Sequence, residues 1–187
     1  MSVKNDFVMP IIVLLLICLV VSGALAVVNS ITKPIIMQAE AERAAEQKKE
    51  IMPQADGFIT LNIDNIRSDG SLPRAITDIY RATNNTGYII AVSVRGFGRE
   101  DIKLLCAIDM YGRLIRASIL SHSETDSYSA RVFNERYTGQ YWGRDRNGIS
   151  GIDTISGATI TSGAFKRAME YSLEAFEIVT NKGNRYE

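Results

Sequence analysis

Five hydroxyl side chains surround a Gly-Ala pair in the stretch DTISGATITS, residues 153–162, just before a segment with helical spacing. Such a stretch can start the helix, because Thr161 or Ser162 could accept hydrogen bonds from its free amides. Gly157 would then allow a turn that most residues cannot make. A helix cap is therefore the simplest interpretation of these residues.

The same stretch also has the properties of an anion-binding site. Gly157 and Ala158 leave almost no side-chain bulk immediately before Thr159. The free N–H groups and the positive dipole end of the following helix face that place, which suits a phosphate. A threonine hydroxyl there could itself be esterified by a phosphate. A cap, a phosphate site and a covalent attachment point are therefore all compatible with the stretch.

Nucleophilic catalysis has weaker support in the sequence. The single histidine, His122, lies in LSHSETD beside serines and acidic residues. A Ser-His-Asp site needs its groups to converge from separate places in the fold, which side chains this close in sequence seldom do. We expect His122 in a strand-to-loop connection with local hydrogen bonds, or in a loop that contacts a ligand. No base is evident near Ser156 or Thr159, so we predict no catalytic residue.

Metal binding and disulfide bonding are not predicted. One histidine and two cysteines cannot form the usual zinc or iron–sulfur ligand sets. In DRNGISGID, Ile149 stands where a calcium loop needs an oxygen ligand, and Gly148 comes one residue too early. Cys18 lies in an apolar run and Cys106 in a predicted strand, so we expect no pairing. Cys106 is expected to be a small buried hydrophobe.

An apolar run near the beginning of the chain predicts a membrane anchor. The chain has 187 residues, 46% of them apolar, with 21 basic and 21 acidic side chains. Residues 7–28 are uncharged and would span about 33 Å as a helix, which matches a bilayer core. A secretory signal peptide is the alternative, since ALA at residues 24–26 resembles a cleavage site, but the apolar run continues past it. The zero net charge gives no support for nucleic-acid binding.

The rest of the chain divides by composition. Lys4 precedes the apolar run, so the positive-inside rule favours a cytoplasmic amino terminus and a body on the other side. Residues rich in Ala, Glu, Gln and Lys follow the anchor and predict a stalk helix that ends at Pro53. The predicted organisation is a tail at 1–6, a transmembrane helix at 7–28, a stalk helix or linker at 29–53, and an extracytoplasmic domain at 54–187.

The domain itself is predicted to be of the α+β class. Alternating apolar residues and short connections predict an antiparallel meander, with strands at 58–66, 75–83, 88–96, 102–110 and 114–120. A short helix is expected within residues 127–142. A final helix is expected from Ser162, with Gly183 as its carboxy-terminal cap.

The motif Asp153-x-x-Ser156-Gly157-Ala158-Thr159 resembles the flavinylation signature of the FMN-binding domain family. In that family a flavin transferase esterifies the last threonine of the motif with the phosphate of FMN. The resemblance covers nearly the whole chain. An anchor ending in NSITKPII, a Glu/Ala-rich stalk, GY, LSHSET and SGATITSGAF occur here in the order found in the G-subunit family of Rnf-type electron-transport complexes.

This resemblance implies a fold and a set of site residues. The fold would be an FMN-binding domain with a mainly antiparallel sheet and flanking helices, and FMN would be bound covalently as a phosphoester of Thr159. The other implied cofactor-binding residues are Asp153, Ser156, Gly157, Ala158, Thr161, Glu124 and Thr125. The Pro-Gly turn that typically follows the ET pair in the family is replaced by DSYSA in this chain.

The resemblance also implies an electron carrier within a membrane complex that couples ferredoxin-to-NAD+ electron transfer to Na+ or H+ translocation. Other membrane and peripheral subunits would be its partners, and a flavin transferase would mature it. No charged residue lies between Asp6 and Lys33, so the ion path is expected in partner subunits. The chain alone would catalyse no net turnover. It would cross the inner membrane once.

Three alternatives remain. The C subunit of Na+-translocating NADH:quinone reductases shares the anchor, the domain and the motif, although it is generally longer. A membrane-tethered binding or scaffold domain would carry no flavin, and SGATITS would only cap a helix. A tethered hydrolase would use Ser156 or Thr159 as its nucleophile.

Overall fold

The computed structural model describes residues 3–68 and 70–183 of the chain. They divide into two compact units, one up to Ala44 and one from Ala45 onward. Helix α1 is Val3–Ile51, and within it the 26-residue segment Met9–Pro34 is long and apolar enough to cross a membrane. Its most apolar 18-residue stretch has a mean hydropathy of 3.2. At 1.5 Å per residue this segment is about 39 Å long, more than the hydrocarbon thickness of a bilayer. It is a candidate membrane span, as the sequence predicts.

The second unit contains a sheet followed by helices. Its first elements are β1 (Phe58–Thr60), α2 (Asp64–Ser68), β2 (Ile76–Ala82), β3 (Gly87–Val94), β4 (Ile102–Asp109) and β5 (Leu114–Ser121). They are followed by α3 (Asp126–Val132), α4 (Glu135–Thr138), a 3-10 turn (Gly139–Tyr141), α5 (Arg146–Ile149) and α6 (Thr159–Gly183). The α+β class is confirmed.

The five strands form one antiparallel sheet in sequence order, so the predicted meander is confirmed. The β4–β5 hairpin closes through Gly112, whose φ of 77° lies in the left-handed region that glycine tolerates. β3 and β4 pair along their full lengths, with Ile90 opposite Cys106. These two strands form the centre of the sheet.

One face of the sheet packs against α6 and the helices before it. Alternate residues of β3 and β4 point to this face, as the pleat of a strand requires. Phe165 and Met169 of α6 are fully buried against them. The strand residues in this core are Tyr88, Ile90, Val92, Val94, Ile102, Leu104, Cys106 and Ile108. This packing fixes α6, and therefore its first turn, to the sheet.

The opposite face carries a smaller core. Ile89 and Leu105 are buried there together with small residues of the same strands. They are covered by Ile51, Met52 and Ala55 at and after the end of α1. The central strands are consequently buried on both faces.

Three predicted boundaries are wrong. The strand predicted at residues 58–66 ends at Thr60, because the Asn62 side chain accepts a hydrogen bond from the Asp64 amide at 3.0 Å and a helical turn begins there. The last helix begins at Thr159 and not at Ser162. Gly183 is helical rather than the residue after the helix, and residues 184–187 lie outside the described part of the chain.

Candidate functional site

Thr159 is the first residue of the longest helix of the second unit, and it is exposed. Its hydroxyl donates to the Ile155 carbonyl over 3.4 Å, which is a long and therefore weak hydrogen bond. The first amides of a helix have no partner within the helix, and the helix dipole makes this end positive. An exposed hydroxyl and a place for an anion thus coincide at Thr159.

The turn before α6 has a backbone that only glycine adopts readily. Gly157 has a φ of 75°, and the Ala158 amide donates to the Ile155 carbonyl at 2.9 Å. The Arg131 guanidinium donates to the Ser156 carbonyl at 2.8 Å. A Cβ atom at Gly157 would lie 3.2 Å from the same guanidinium. Arg131 of α3 therefore contacts the turn from outside and stabilises it.

The two later hydroxyls of the stretch are buried and bonded to other groups. Ser162 accepts from the Ile155 amide at 3.0 Å and donates to the Ala158 carbonyl at 2.8 Å. Thr161 donates to the Glu124 carboxylate. The prediction that Thr161 or Ser162 caps α6 is wrong, because the helix has already begun at Thr159 and neither hydroxyl accepts from its first amides.

Glu124 and Thr125, both predicted to bind the cofactor, differ in exposure. The side chain of Glu124 is buried, at 5% exposure, and it accepts from the Gly98 amide at 2.7 Å in addition to Thr161. Thr125 is exposed and precedes α3, where its carbonyl accepts from the amide of Tyr128 at 2.9 Å. The carboxylate of Glu124 is therefore turned into the protein.

A cavity of about 230 Å³ lies beside Thr159. It is lined by residues 157–161 together with two aromatic side chains, Phe97 and Tyr128. These rings meet edge to face, with centroids 5.4 Å apart and planes at 89°. Phe97 is 54% exposed and Ile160 is 55% exposed, so the mouth of the cavity is apolar. The arrangement suits a planar aromatic group that continues from an anion at the helix end.

The remaining predicted site residues lie around the turn. Gly157 and Ala158 contribute to the cavity lining, as does Thr161. Asp153 and Ser156 are exposed in the segment that leads into the turn, outside that lining. The predicted residues therefore lie in one region of the structure, but only some of them face the cavity. Asp153 and Ser156 belong to the segment that precedes it.

Sequence reasoning missed Phe97, Tyr128 and Arg131, which reach the site from the β3–β4 connection and from α3. One local signal was available for Phe97, because a glycine stands on each side of it. A side chain at Gly98 would collide with the backbone of Ser123. Paired glycines in a short connection indicate such a close approach of two segments.

His122 has the structural role that its position predicts. Its Nδ1 accepts from the Glu124 amide at 3.2 Å, and its ring lies 5.1 Å from that of Phe133. Because Nδ1 accepts in this local bond, it cannot donate to an orienting carboxylate, as the histidine of a Ser-His-Asp site must. The geometry therefore gives no support to a hydrolase that uses Ser156 or Thr159.

The calcium and thiol candidates of the sequence have structural roles. Within the described ranges, no group of three or more metal-ligating side chains occurs. Asp145 instead caps α5 by accepting from the Gly148 amide at 2.8 Å. Burial raises the pKa of the Cys106 thiol to about 12, so it is a neutral core group as predicted.

Comparison with known proteins agrees with this geometry. Residues 96–174 match the FMN-binding domain family. The chain is 24% identical to the G subunit of the proton-translocating ferredoxin:NAD(+) oxidoreductase complex of Clostridium ljungdahlii, over 90% of this chain and 89% of the relative. It is 23% identical to the G subunit of the Na(+)-translocating ferredoxin:NAD(+) oxidoreductase complex of Acetobacterium woodii, over 88% of this chain and 89% of the relative.

A third relative has a similar identity over a similar share of this chain. The G subunit of the ion-translocating oxidoreductase complex of Methanosarcina acetivorans is 25% identical over 93% of this chain and 96% of its own length. The segment matched as a domain includes every residue that lines the cavity beside Thr159. Residues 96–174 therefore match an FMN-binding domain, and the resemblance of the chain to the G subunit of Rnf-type complexes is confirmed.

Proposed function

We propose that this protein is the FMN-carrying electron-transfer subunit of an ion-translocating ferredoxin:NAD+ oxidoreductase complex, with FMN esterified through its phosphate to Thr159. The observation that carries the proposal is the position of that hydroxyl. Among the five hydroxyls of residues 153–162, Thr159 alone is both exposed and part of the cavity lining. Thr161 also lines the cavity, but it is buried and bonded to Glu124.

The residues present fit such a group. A phosphate on Thr159 would lie at the amino-terminal end of α6, where free amides and the helix dipole favour negative charge. The rings of Phe97 and Tyr128 and the exposed side chain of Ile160 offer apolar contacts to the rest of the cofactor. Bound FMN would supply reversible electron uptake and release. Attachment through the phosphate would leave the flavin ring free for that exchange.

Attachment requires a second protein. The Oγ1–phosphorus bond of Thr159 would form as the bridging P–O bond of a flavin-nucleotide pyrophosphate such as FAD breaks. A nucleoside monophosphate would leave, and the hydroxyl proton would pass to a base. The group that the Thr159 hydroxyl contacts is a carbonyl oxygen, which is not a useful base. A flavin transferase that supplies the base is therefore part of the proposal.

The electron partners and the ion path would belong to other subunits of the complex. The apolar segment of α1 has no charged residue between Asp6 and Lys33, whereas ion routes through membranes expose ionisable groups. Purification of the tagged full chain from its own membranes tests this assignment. We expect the other subunits of a ferredoxin:NAD+ oxidoreductase to co-purify, and recovery of the chain alone would contradict it.

We further propose that the amino terminus is cytoplasmic and that the FMN-binding domain is on the extracytoplasmic face. This is supported by Lys4 ahead of the apolar segment. Asn85 lies in the exposed β2–β3 turn, so Asn85→Cys offers a reporter of sidedness. A membrane-impermeant maleimide should label this variant from outside the cytoplasmic membrane. Labelling only after lysis would place the domain in the cytoplasm.

Intact mass spectrometry tests the attachment itself. The full chain, produced together with a flavin transferase, should gain the mass of FMN less one water. Thr159→Ala should gain nothing. The matched control is Thr154→Ala, an exposed threonine of the same segment, which should be modified like the wild type. An unmodified wild-type chain under these conditions would favour the scaffold alternative, in which SGATITS has no cofactor role.

A further inference from the structure

We infer that Glu124 is a positioning residue for flavinylation of Thr159, and that it acts through Gly98 and Thr161 without touching the flavin. Its buried carboxylate joins the connection that carries Phe97 to the first turn of α6, and this junction shapes the cavity beside Thr159. The inference rests on the proposed function, because it concerns how the same site is built.

Three segments that are distant in sequence meet at this one carboxylate. Oε1 of Glu124 accepts from the Gly98 amide at 2.7 Å, in the β3–β4 connection. Oε2 accepts from the Thr161 hydroxyl, in the first turn of α6. Glu124 itself belongs to the segment that links β5 to α3. A single side chain therefore connects the two walls of the cavity.

The β3–β4 connection has no room to shift towards Glu124. A Cβ atom at Gly96 would overlap the Glu124 carboxylate and would lie 2.7 Å from the Ile102 side chain. A Cβ atom at Gly98 would overlap the backbone of Ser123. The Glu100 amide also donates to the Ser123 hydroxyl, at 2.7 Å. Phe97, held between the two glycines, is thereby placed at the cavity mouth against Tyr128.

The charge of Glu124 suits its position. A carboxylate beside the first turn of α6 interacts favourably with the positive end of the helix dipole. Both oxygens have hydrogen-bond donors, which a buried charge requires. At 5% exposure, and outside the cavity lining, the carboxylate offers no free surface to a cofactor. Its effect on Thr159 must therefore pass through the groups that it holds.

The test measures the rate of FMN addition to the full chain in detergent, with purified flavin transferase and FAD, under conditions in which each variant is folded. Glu124→Leu removes both acceptors, whereas Glu124→Gln keeps an acceptor for Gly98 and can donate to the Thr161 oxygen. Thr161→Val removes the hydroxyl at nearly constant shape, whereas Thr161→Ser keeps it. Glu100→Leu makes the same substitution at a neighbouring exposed glutamate and is the control.

We expect Glu124→Leu and Thr161→Val to slow FMN addition by about tenfold to 100-fold, the cost of a displaced reacting group. Glu124→Gln, Thr161→Ser and Glu100→Leu should react at close to the wild-type rate. Hydrogen exchange of the peptide containing Gly98 should accelerate in the two slow variants only. The double variant Glu124→Leu/Thr161→Val should be no slower than the slower single variant, because both changes break the same junction.

The outcomes separate the inference from the proposed function. If neither wild type nor Glu100→Leu acquires FMN, the proposed function fails and the inference fails with it. If both acquire FMN and Thr161→Val reacts as fast as Thr161→Ser, the inference alone is overturned. The comparison of Thr161→Val with Thr161→Ser tests the inference even if Glu124→Leu does not fold. A rate loss in Thr161→Ser equal to that in Thr161→Val would also overturn the inference.

Discussion

The first turn of α6 and the middle of the same helix have opposite properties. In the first turn, Thr159 and Ile160 are exposed. The buried carboxylate of Glu124 accepts hydrogen bonds from Thr161 in this turn and from Gly98 in the β3–β4 connection beside it. In the middle, Phe165 and Met169 are fully buried against the sheet. The middle of α6 thus packs against the sheet, whereas its first turn exposes the Thr159 hydroxyl. The proposed chemistry and the stability of the fold should therefore respond to different substitutions.

The largest expected difference concerns thiol reactivity. Burial raises the pKa of Cys106 from 9.0 to about 12, so its thiolate fraction at pH 8 falls about a thousandfold and recovers only as the pH rises towards 12. In a Cys18→Ala background, a thiol reagent at pH 8 should leave Cys106 unmodified until urea unfolds the domain. Ile160→Cys in the same background should react at once, because this position is exposed. Equal modification rates at Cys106 and at Ile160→Cys would contradict the difference between the buried core and the exposed first turn of α6.

The next largest effect is on stability. Phe165→Ala should lower the free energy of unfolding by about 3–5 kcal/mol, because it leaves a cavity among aromatic neighbours in the core. Ile160→Ala should change it by less than about 0.5 kcal/mol. Urea unfolding of the full chain in detergent can be followed by the fluorescence of Trp142, the single tryptophan. A loss at Ile160 as large as that at Phe165 would contradict the division of roles within α6.

A smaller effect is expected at the turn that precedes α6. Gly157→Ala should cost about 1–2 kcal/mol, because the residue has a φ of 75° and a Cβ atom would press on Arg131. Gly151→Ala is the matched control, since a Cβ atom there would meet open space. The same urea unfolding distinguishes the two. A Gly157→Ala protein as stable as Gly151→Ala would show that the turn tolerates a side chain.

The strands of the meander could be predicted because their sequences alternate and their connections are short, so local pattern and final structure agree. β2 to β5 begin and end within two residues of the predicted ranges. The prediction failed after Thr60, where apolar alternation continued but the Asn62 side chain bonded to the backbone and began a helical turn. A hydrogen bond from a side chain to the backbone can end a strand, but it leaves little trace in the alternation of apolar residues.

The site could be predicted only in part, for a related reason. The motif located Thr159, since hydroxyls and small residues were contiguous in sequence. The partners of that stretch are not contiguous with it, because Glu124 and Arg131 reach it only through the packing of α3 and α6. The helix cap was predicted at the wrong residue because the Ser162 hydroxyl accepts from the Ile155 amide in the preceding turn and not from the first amides of α6. This bond depends on the backbone conformation of Gly157.

The central claim is that FMN is attached to Thr159, and peptide mapping tests it most directly. Trypsin should release Asn147–Lys166 from the flavinylated full chain, a peptide that contains all five hydroxyls of residues 153–162. Fragmentation should place the added mass between Ala158 and Ile160. Attachment at Ser156 or Thr161, or a peptide without added mass from a chain exposed to an active flavin transferase, would contradict the claim.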